Sequence, residues 1–376
     1  MAGAGEQLSS AERAGRVRAW VDPDALRSNL VALEALAGAG NRVLPVIKAD
    51  AYGHGAIRTA IALQHRAEGF AVAALSEAET LRAAGLRVPL CVLGGVQSAA
   101  DWGLCEQLEL DVVVHAPWQW EQLRSLQRPP RYWLKFDSGM GRLGFPVAMA
   151  AALAAEAKGR GLLGVMTHLA SADEAGNAHT QAQLDCFETA VRPHFAEQTI
   201  SVANSAGMLL WPQSREGMSR PGVLLYGVSP LDTPLDPALG FRPALRLEAR
   251  LLDVKDLPAG HSVGYGAEWT AANPSRVGIV AIGYADGLFR CLGSGGFALS
   301  GPDGERLPLR GRVSMDMIAV QLPAESKLQP GDWLGVWGAG AMPVEEAARH
   351  AGTIPYELMT ALGGRVAHGD RALPQQ

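Results

Sequence analysis

Lys48 is the residue whose type and position first indicate chemistry. It follows residues 42–47, an apolar and partly β-branched run that predicts a buried strand. The motif Tyr52-Gly53-His54-Gly55 comes next and leads into an alanine-rich stretch that predicts a helix. A lysine at the carboxyl end of a strand in an α/β protein faces the edge where ligands bind. Partial desolvation there lowers the pKa of the amine and makes it a nucleophile towards aldehydes, as a Schiff base requires.

A single lysine is more often a solvated strand end than a nucleophile, so the surrounding elements must support this interpretation. Apolar strand-like runs alternate with helix-prone stretches along the first part of the chain. With 42–47 and a short eighth strand at 218–220, this alternation predicts an α/β fold, a (β/α)8 barrel of the TIM type rather than an open sheet. A helix is predicted from Pro23 to about residue 37, with Asp22 as its N-cap. The other strands are predicted at 69–75, 88–93, 111–115, 132–136, 162–168 and 200–203, and the other helices at 76–84, 118–126, 147–158 and 180–191.

The second part of the chain has a different pattern. From about residue 241 the helical alternation stops, and Asp303-Gly304 marks a predicted hairpin turn. We therefore predict a barrel domain at 1–240 and a mostly β domain at 241–376. Strands are predicted at 245–254, 277–282, 313–322 and 333–337, followed by a helix around 344–351.

Composition excludes several classes of function. The chain has 376 residues, of which 48% are hydrophobic and 19% charged, as in soluble globular proteins of two domains. A net charge of −5 without a basic cluster argues against nucleic-acid binding. No apolar run is long enough to span a membrane, and residues 1–16 lack the apolar region of a signal peptide. The four cysteines lack metal-ligand or disulfide spacing, so we expect no metal and a cytoplasmic location.

The string Val46-Ile47-Lys48-Ala49-Asp50-Ala51-Tyr52-Gly53-His54-Gly55 resembles the cofactor-lysine motif of alanine racemases. The resemblance runs from about Trp20 to Val366, and its segments occur in the family's order. It implies a pyridoxal phosphate (PLP) enzyme that racemises alanine, as a homodimer in which each active site is shared between two chains. Further matching segments begin at Lys135, Thr167, Ala203, Arg220, Ser262, Gly283, Gly311 and Ile354.

The resemblance assigns two bases to opposite faces of the substrate. Lys48 would carry the cofactor and act on one face, and Tyr265 from the β domain of the partner subunit would act on the other. A free tyrosine has a pKa near 10, so its phenolate would need stabilisation of ~4 kcal/mol for a pKa lowered by ~3 units. The supporting residues implied are His168 beside Tyr265, Arg220 at the pyridine nitrogen, Arg142, and Lys135, at a position carbamylated in some members.

The remaining roles implied by the resemblance concern binding. The substrate carboxylate would lie between Arg142 and the backbone amide of Met315. Residues 293–296 depart from the family pattern where the resemblance expects an access loop. The cofactor would be held by Tyr52, Asn204, Ser205, Gly222, Val223 and Tyr356, and the approach to the site would be lined by Tyr284, Arg290 and Arg312.

Other functions compete with this interpretation. A broader-specificity amino-acid racemase of the same family would have the same motifs. A PLP-carrier protein would end with the barrel, and a decarboxylase of similar architecture would bear a cysteine-containing C-terminal segment that is not found here. The sequence leaves open whether D-alanine is supplied for peptidoglycan or alanine is catabolised.

Overall fold

A computed structural model describes residues 15–157, 161–294 and 296–374. Three predictions fall partly outside these residues: the N-terminal segment up to residue 14, the end of the predicted helix at Lys158, and Gly295 in the unusual stretch 293–296.

The first part of the chain is a barrel of parallel strands, as predicted. Six strands form one continuous parallel sheet, and the last barrel strand pairs in parallel with the first. The weakly patterned eighth strand is confirmed as Met218–Ser219. In chain order the barrel strands are Arg42–Val43, Phe70–Val72, Leu90–Val92, Leu110–Val114, Tyr132–Asp137, Leu162–Met166, Thr199–Ser201 and Met218–Ser219, with a short side strand at Phe145–Pro146.

A few backbone hydrogen bonds close the ring on both sides of this strand pair. Val46 bridges to Ala71 in parallel. On the other side, the Arg220 amide donates to the Ala203 carbonyl at 2.8 Å. The first barrel strand is shorter than predicted because Pro45 has no amide to donate to a ladder. The carboxyl ends of all eight strands therefore meet at one mouth.

Helices connect the strands. The helix Pro23–Ala37 has the predicted bounds, and Asp22 caps it by accepting from the amides of Asp24 and Ala25 at 2.8 and 3.0 Å. Asp101–Gln107 and Ser205–Leu210 were not predicted, because six or seven residues carry too little periodicity to be recognised. The barrel helices after the first are Ala56–Leu63, Leu75–Ala83, Asp101–Gln107, Pro117–Ser125, Ala150–Ala157, Ala178–Ala190 and Ser205–Leu210, with single 3-10 turns at Val147–Met149, Arg192–His194, Pro212–Arg215, Val223–Tyr226 and Pro237–Leu239.

The second part is mostly β, as predicted. Its main sheet also contains Val17–Val21, which lies between Leu245–Leu257 (antiparallel) and Ala367–Asp370 (parallel). The predicted division between residues 240 and 241 stays a prediction. The strands are Leu245–Leu257, Ser262–Val263, Trp269–Thr270, Ser275–Val280, Ala298–Ser300, Arg306–Arg310, Ile318–Leu322, Trp333–Gly338 and Ala367–Asp370, and the helices are Val344–Ala351 and Pro355–Thr360, with 3-10 turns at Tyr265–Ala267, Tyr284–Asp286 and Arg290–Ser294.

Several predicted strands were too long, and two of them show the cause. The strand predicted at 313–322 begins only at Ile318, because the Ser314 amide donates to the Met317 carbonyl and closes a loop. The strand predicted at 69–75 ends at Val72, because a side chain, Glu77, takes the amides of the next two residues. In both places these hydrogen bonds end the strand ladder next to residues of the candidate site.

Among the described residues, no helix is long and apolar enough to cross a membrane. The same residues contain no group of three or more histidine, cysteine or acidic side chains that could hold a metal ion.

Candidate active site

A cavity of about 730 Å³ opens at the mouth of the barrel. The structure brings the barrel residues predicted for the site, and Tyr356 of the second part, to its wall. They are Lys48, Tyr52, Lys135, Arg142, His168, Asn204, Ser205, Arg220, Gly222, Val223 and Tyr356.

Lys48 begins a left-handed turn, residues Lys48–Gly53, which we call the lysine turn. Ala49, Asp50, Ala51 and Tyr52 have φ between 51° and 54°, the left-handed region that L-residues avoid. At 1–2 kcal/mol for each of these four residues, the turn costs about 4–8 kcal/mol. Glycine is required at its last position, Gly53, because a Cβ there would lie 2.1 Å from the Met359 carbonyl oxygen. Contacts elsewhere in the fold must offset this strain.

His54 is one of the groups that stabilise the lysine turn. It is buried, and burial lowers the pKa of its ring to about 3, so the ring is neutral. Its Nδ1–H donates to the carbonyls of Ala51 (3.1 Å) and Tyr52 (3.0 Å), inside the turn. Its ring packs 4.3 Å from that of Tyr226. At the end of the turn, Nε2 of His368 lies 2.9 Å from the Gly53 carbonyl oxygen.

The amine of Lys48 is suited to nucleophilic chemistry. Burial lowers its pKa, the Arg142 guanidinium lowers it further, and Glu77 acts in the opposite direction. A larger fraction of neutral amine is therefore present near neutral pH than for a solvated lysine. This agrees with the environment predicted for a lysine at a strand end.

A phosphate would find hydroxyl donors at one end of the cavity. The rings of Tyr52 and Tyr356 lie 5.8 Å apart, and burial raises the pKa of both phenols, so they stay neutral donors. Gly222 cannot be larger, because a Cβ there would lie 2.3 Å from the Tyr52 hydroxyl. The Ser205 hydroxyl accepts from the Gly222 amide at 2.9 Å. These residues fit the phosphate of the implied cofactor.

Asn204 has a further role that the sequence did not predict. It, rather than Ser205, is the N-cap of the helix Ser205–Leu210, and its Oδ1 accepts from the Gly207 amide at 2.8 Å. Its side chain therefore fixes the helix on which Ser205 lies.

Arg220 is held by hydrogen bonds at the wall of the cavity. It is buried, and burial lowers its pKa to about 10, so it remains charged at neutral pH. Its guanidinium donates to the Ser201 hydroxyl, to the Thr167 carbonyl (2.6 Å) and to Nδ1 of His168 (3.4 Å). Burial and the nearby Arg220 charge hold the pKa of His168 well below its usual range. His168 is thus neutral, with Nδ1 as acceptor and its hydrogen on Nε2.

Two more cations give the cavity a positive field. Burial and the charges of Arg220 and Arg142 lower the pKa of Lys135 to about 8. Arg142 ends a loop organised by Asp137, whose carboxylate accepts from the amides of residues 139, 140 and 141. Burial alone would raise the pKa of Asp137, but these backbone amides outweigh it and lower the pKa. The field suits anionic groups such as phosphate and carboxylate.

Apart from Tyr356, the β-domain residues predicted for the site lie elsewhere in the same chain. Tyr265 is 72% exposed and Met315 is 52% exposed. The described residues that line the cavity do not include Tyr265, Met315, Tyr284, Arg290 or Arg312. The structure therefore does not bring Tyr265 to Lys48 of its own chain.

Side chains of the β domain fix the segments that carry these residues. Arg312 pairs with Glu268 at 2.5 Å across the 3-10 turn that begins at Tyr265. Arg365 contacts Asp316 (2.8 Å) and Asp286 (3.3 Å), one on each of two loops.

Backbone hydrogen bonds also join these two loops. The Ala285 amide donates to the Met315 carbonyl at 3.1 Å, and the Tyr284 amide donates to the Ser314 carbonyl at 3.1 Å. The two loops thus form one rigid surface.

Sequence reasoning missed four residues whose contacts hold the predicted ones in place: Glu77, His54, Ser201 and Glu268. The position of Glu77 in the first turn of a helix after a barrel strand is a signal that could have been used. The other three are recognised only from contacts that the fold brings together.

Comparisons with known proteins agree with this arrangement. The family pattern "Alanine racemase, N-terminal domain" matches residues 21–230, and "Alanine racemase, C-terminal domain" matches residues 244–369. The chain is 42% identical to "Alanine racemase, catabolic" of Pseudomonas putida, over 92% of this chain and 96% of that protein.

Two solved structures are similar in fold. The biosynthetic alanine racemase from Pseudomonas aeruginosa has a TM-score of 0.86 at 38% identity, over 95% of this chain and 99% of that one. The alanine racemase from Bartonella henselae with covalently bound pyridoxal phosphate has a TM-score of 0.85 at 28% identity, over 95% and 100%.

Proposed function

The chain belongs to the alanine racemase family and catalyses alanine racemisation, and we propose that it uses pyridoxal phosphate at Lys48, with Lys48 and Tyr265 as the two bases. One observation carries the assignment of Lys48: a half-buried amine of lowered pKa lies in a cavity whose wall also carries Tyr52, Ser205 and Tyr356. The match of residues 244–369 to the racemase C-terminal domain favours a racemase over a carrier protein or a decarboxylase.

The residues present fit the cofactor. Tyr52, Ser205 and Tyr356 would hold its phosphate, with Gly222 giving the space, and Asn204 and Val223 border this end of the cavity. The solved Bartonella henselae racemase, which carries covalently bound pyridoxal phosphate, supports the choice of cofactor. When bound, the cofactor delocalises the electron pair that remains on the substrate Cα after a proton leaves.

Arg220 would determine the type of reaction. Because its hydrogen bonds hold it in place and it keeps its proton, it would donate a hydrogen bond to the pyridine nitrogen without protonating it. By leaving that nitrogen unprotonated, Arg220 would weaken the electron withdrawal that the cofactor supplies, which would favour prompt return of the proton to Cα. This favours racemisation over transamination.

Lys48 and Tyr265 would exchange the Cα proton on opposite faces. As the family resemblance implies, Lys48 would take or return the proton of D-alanine at Nζ, and Tyr265 that of L-alanine at its phenolic oxygen. His168 would donate from Nε2 towards Tyr265, while Arg142 and the Met315 amide bind the substrate carboxylate. Lys135 would orient Arg142, and Tyr284, Arg290 and Arg312 would line the approach.

We propose that the second base comes from a partner subunit. Large apolar side chains are exposed at both places that would meet: Tyr265 and Met315 on the β domain, and Ile354 (58%) and Leu143 (39%) at the rim of the cavity. Exposed apolar groups that coincide with functional residues are typical of an interface. A two-fold dimer would cover them by placing the β domain of one chain over the barrel mouth of the other.

Mixing two inactive variants tests both the bases and the shared site. Lys48→Ala and Tyr265→Ala dimers are dissociated, mixed equally and reassociated. Random pairing makes about half of the dimers mixed, and each mixed dimer has one intact site, so about a quarter of all sites recover. D-Alanine formed from L-alanine is measured with a D-amino-acid oxidase.

A matched control separates this recovery from general stabilisation. Lys48→Ala mixed with Arg142→Ala puts both lesions on barrel mouths, so every site of a mixed dimer is damaged and no activity should return. No recovery with Tyr265→Ala, although mixed dimers form, would place both bases on one chain. Product analysis with L-serine in the same assay tests the alternative of a broader-specificity racemase.

A further inference from the structure

Glu77 links the lysine turn to a neighbouring helix. It lies in the first turn of the helix Leu75–Ala83, just after a barrel strand. Its Oε2 accepts from the amides of Ala73 (2.6 Å) and Ala74 (3.2 Å), at the start of its own helix. Its Oε1 accepts from the amide of Ala49 at 2.7 Å. One carboxylate therefore stabilises two elements that are distant in sequence.

The contact with Ala49 lies at the position that sets the direction of the Lys48 side chain. Ala49 is the first residue of the lysine turn with left-handed φ, and Lys48 immediately precedes it. A right-handed conformation, which alanine prefers, would send the preceding side chain in another direction. His54 satisfies carbonyls in the middle of the turn, and Glu77 satisfies the amide at its start.

The Glu77 carboxylate also acts electrostatically on the Lys48 amine. Burial and the Arg142 charge lower the pKa of Lys48, and Glu77 counteracts them. Lys135, a further cation on the same cavity wall, interacts with Lys48 and adds to the positive field. Glu77 is the acidic group that opposes this field at Lys48.

We propose that Glu77 is a positioning residue for Lys48: its hydrogen bond to the Ala49 amide fixes the left-handed turn that directs the lysine into the cavity. This inference rests on Lys48 being the reactive amine of the proposed function. The simpler explanation is that Glu77 only stabilises the start of its own helix, as acidic residues often do.

Two substitutions of Glu77 separate the effect of side-chain length from the effect of charge. Glu77→Asp keeps the charge and can still accept from its own helix, but it is one methylene shorter and loses Ala49. Glu77→Gln keeps the length but loses the charge and presents an NH₂ group to the backbone amides. Glu79→Gln is the matched control, because Glu79 is an exposed acid on the same helix and contributes to neither contact.

The first readout is kinetic. A displacement of a reacting group by about 1 Å can cost up to 10²-fold in rate, so kcat of Glu77→Asp should fall by about 10- to 100-fold with little change in KM. In Glu77→Gln the pKa of Lys48 should fall further. The acidic limb of kcat for D-alanine, where Lys48 is the base, should therefore move to lower pH. Glu79→Gln should leave both kcat and the pH profile at wild-type values.

The second readout does not depend on activity. Amide hydrogen exchange of the peptide covering residues 49–55 is followed by mass spectrometry in the cofactor-loaded protein and after cofactor removal. In Glu77→Asp this peptide should exchange about tenfold faster in both forms, because the lysine turn opens locally. Exchange of residues 344–351, in the other part of the chain, should not change.

The outcomes separate this inference from the proposed function. If both Glu77 variants lose only thermal stability, with wild-type kcat, pH profile and exchange of 49–55, Glu77 stabilises its helix and nothing more. Borohydride reduction of the wild-type protein tests the function independently. Attachment of the cofactor to a lysine other than Lys48 would refute the proposed function, while attachment to Lys48 with unaffected Glu77 variants would refute only the positioning role.

Discussion

The buried ring of His54 should make the protein sensitive to acid. Its pKa is about 3 in the folded state and about 6.5 when the ring is solvated, so the unfolded chain binds a proton that the folded chain does not. A histidine whose folded pKa is lowered contributes stability that is fully present above pH 6.5 and is lost as the pH falls towards 3. Between pH 7 and pH 5 this one group should lower the free energy of unfolding by about 2 kcal/mol, since each pH unit is 1.36 kcal/mol.

The measurement compares wild-type protein with His54→Gln. Glutamine retains an N–H donor for the carbonyls of Ala51 and Tyr52 but does not titrate. Urea unfolding of the cofactor-loaded protein is followed at pH 7 and pH 5 at one protein concentration. The wild-type protein should lose about 2 kcal/mol more than the variant over this interval, whatever their difference at pH 7. His168, whose pKa is also lowered, titrates in both proteins and cancels.

Equal pH dependence of the two proteins would refute this reasoning. It would mean that His54 is protonated in the folded state, so that its Nε2, which has no partner among the described residues, meets an acceptor. A ¹⁵N NMR titration of the His54 ring would then show the proton directly.

Three further predictions concern the site. Tyr265→Phe should keep bound cofactor but lose racemisation, and in D₂O it should exchange the α-proton of D-alanine much faster than that of L-alanine; equal exchange of both enantiomers would mean that one base serves both faces. Arg220→Glu should slow racemisation and increase pyruvate formation, because a carboxylate at the pyridine nitrogen favours its protonation; an unchanged cofactor absorption spectrum would show that Arg220 is not at that nitrogen. Gly222→Ala should weaken cofactor binding at least tenfold in equilibrium dialysis, because the added Cβ would lie 2.3 Å from the Tyr52 hydroxyl, and wild-type affinity would show that Tyr52 is not part of the phosphate site.

Much of the barrel followed from local patterns. The helix Pro23–Ala37 was predicted from its N-cap and proline. The family resemblance implied that His168 and Arg220 belong to one site, and the barrel allows this because its parallel strands share one mouth. The lysine turn was not predicted, because alanine, aspartate and tyrosine favour right-handed backbone. It is stabilised by Glu77 and His368, which are distant in sequence. The strand predicted at 313–322 was wrong at its start. There the hydrogen bond from Ser314 to Met317, and those from Tyr284 and Ala285 to Ser314 and Met315, form a loop despite the apolar pattern.

The position of Val17–Val21 has a consequence for how the chain is assembled. This strand lies inside the sheet of the second part, so the barrel is in effect an insertion between two segments of the β domain. During synthesis Val17–Val21 cannot pair until its partner strands, Leu245–Leu257 and Ala367–Asp370, have been made. The barrel, whose strands all lie between residues 42 and 219, can close earlier.

The same arrangement joins the two parts by two chain crossings instead of one. At the first crossing, Asp22 caps a barrel helix with Oδ1 and accepts from the amide of Leu373 with Oδ2 at 2.9 Å. Rotation of one part against the other would have to break these contacts or the pairing of Val17–Val21. A proteolytic cut near residue 240 should therefore leave the two fragments associated, because the first strand would still be paired within the sheet.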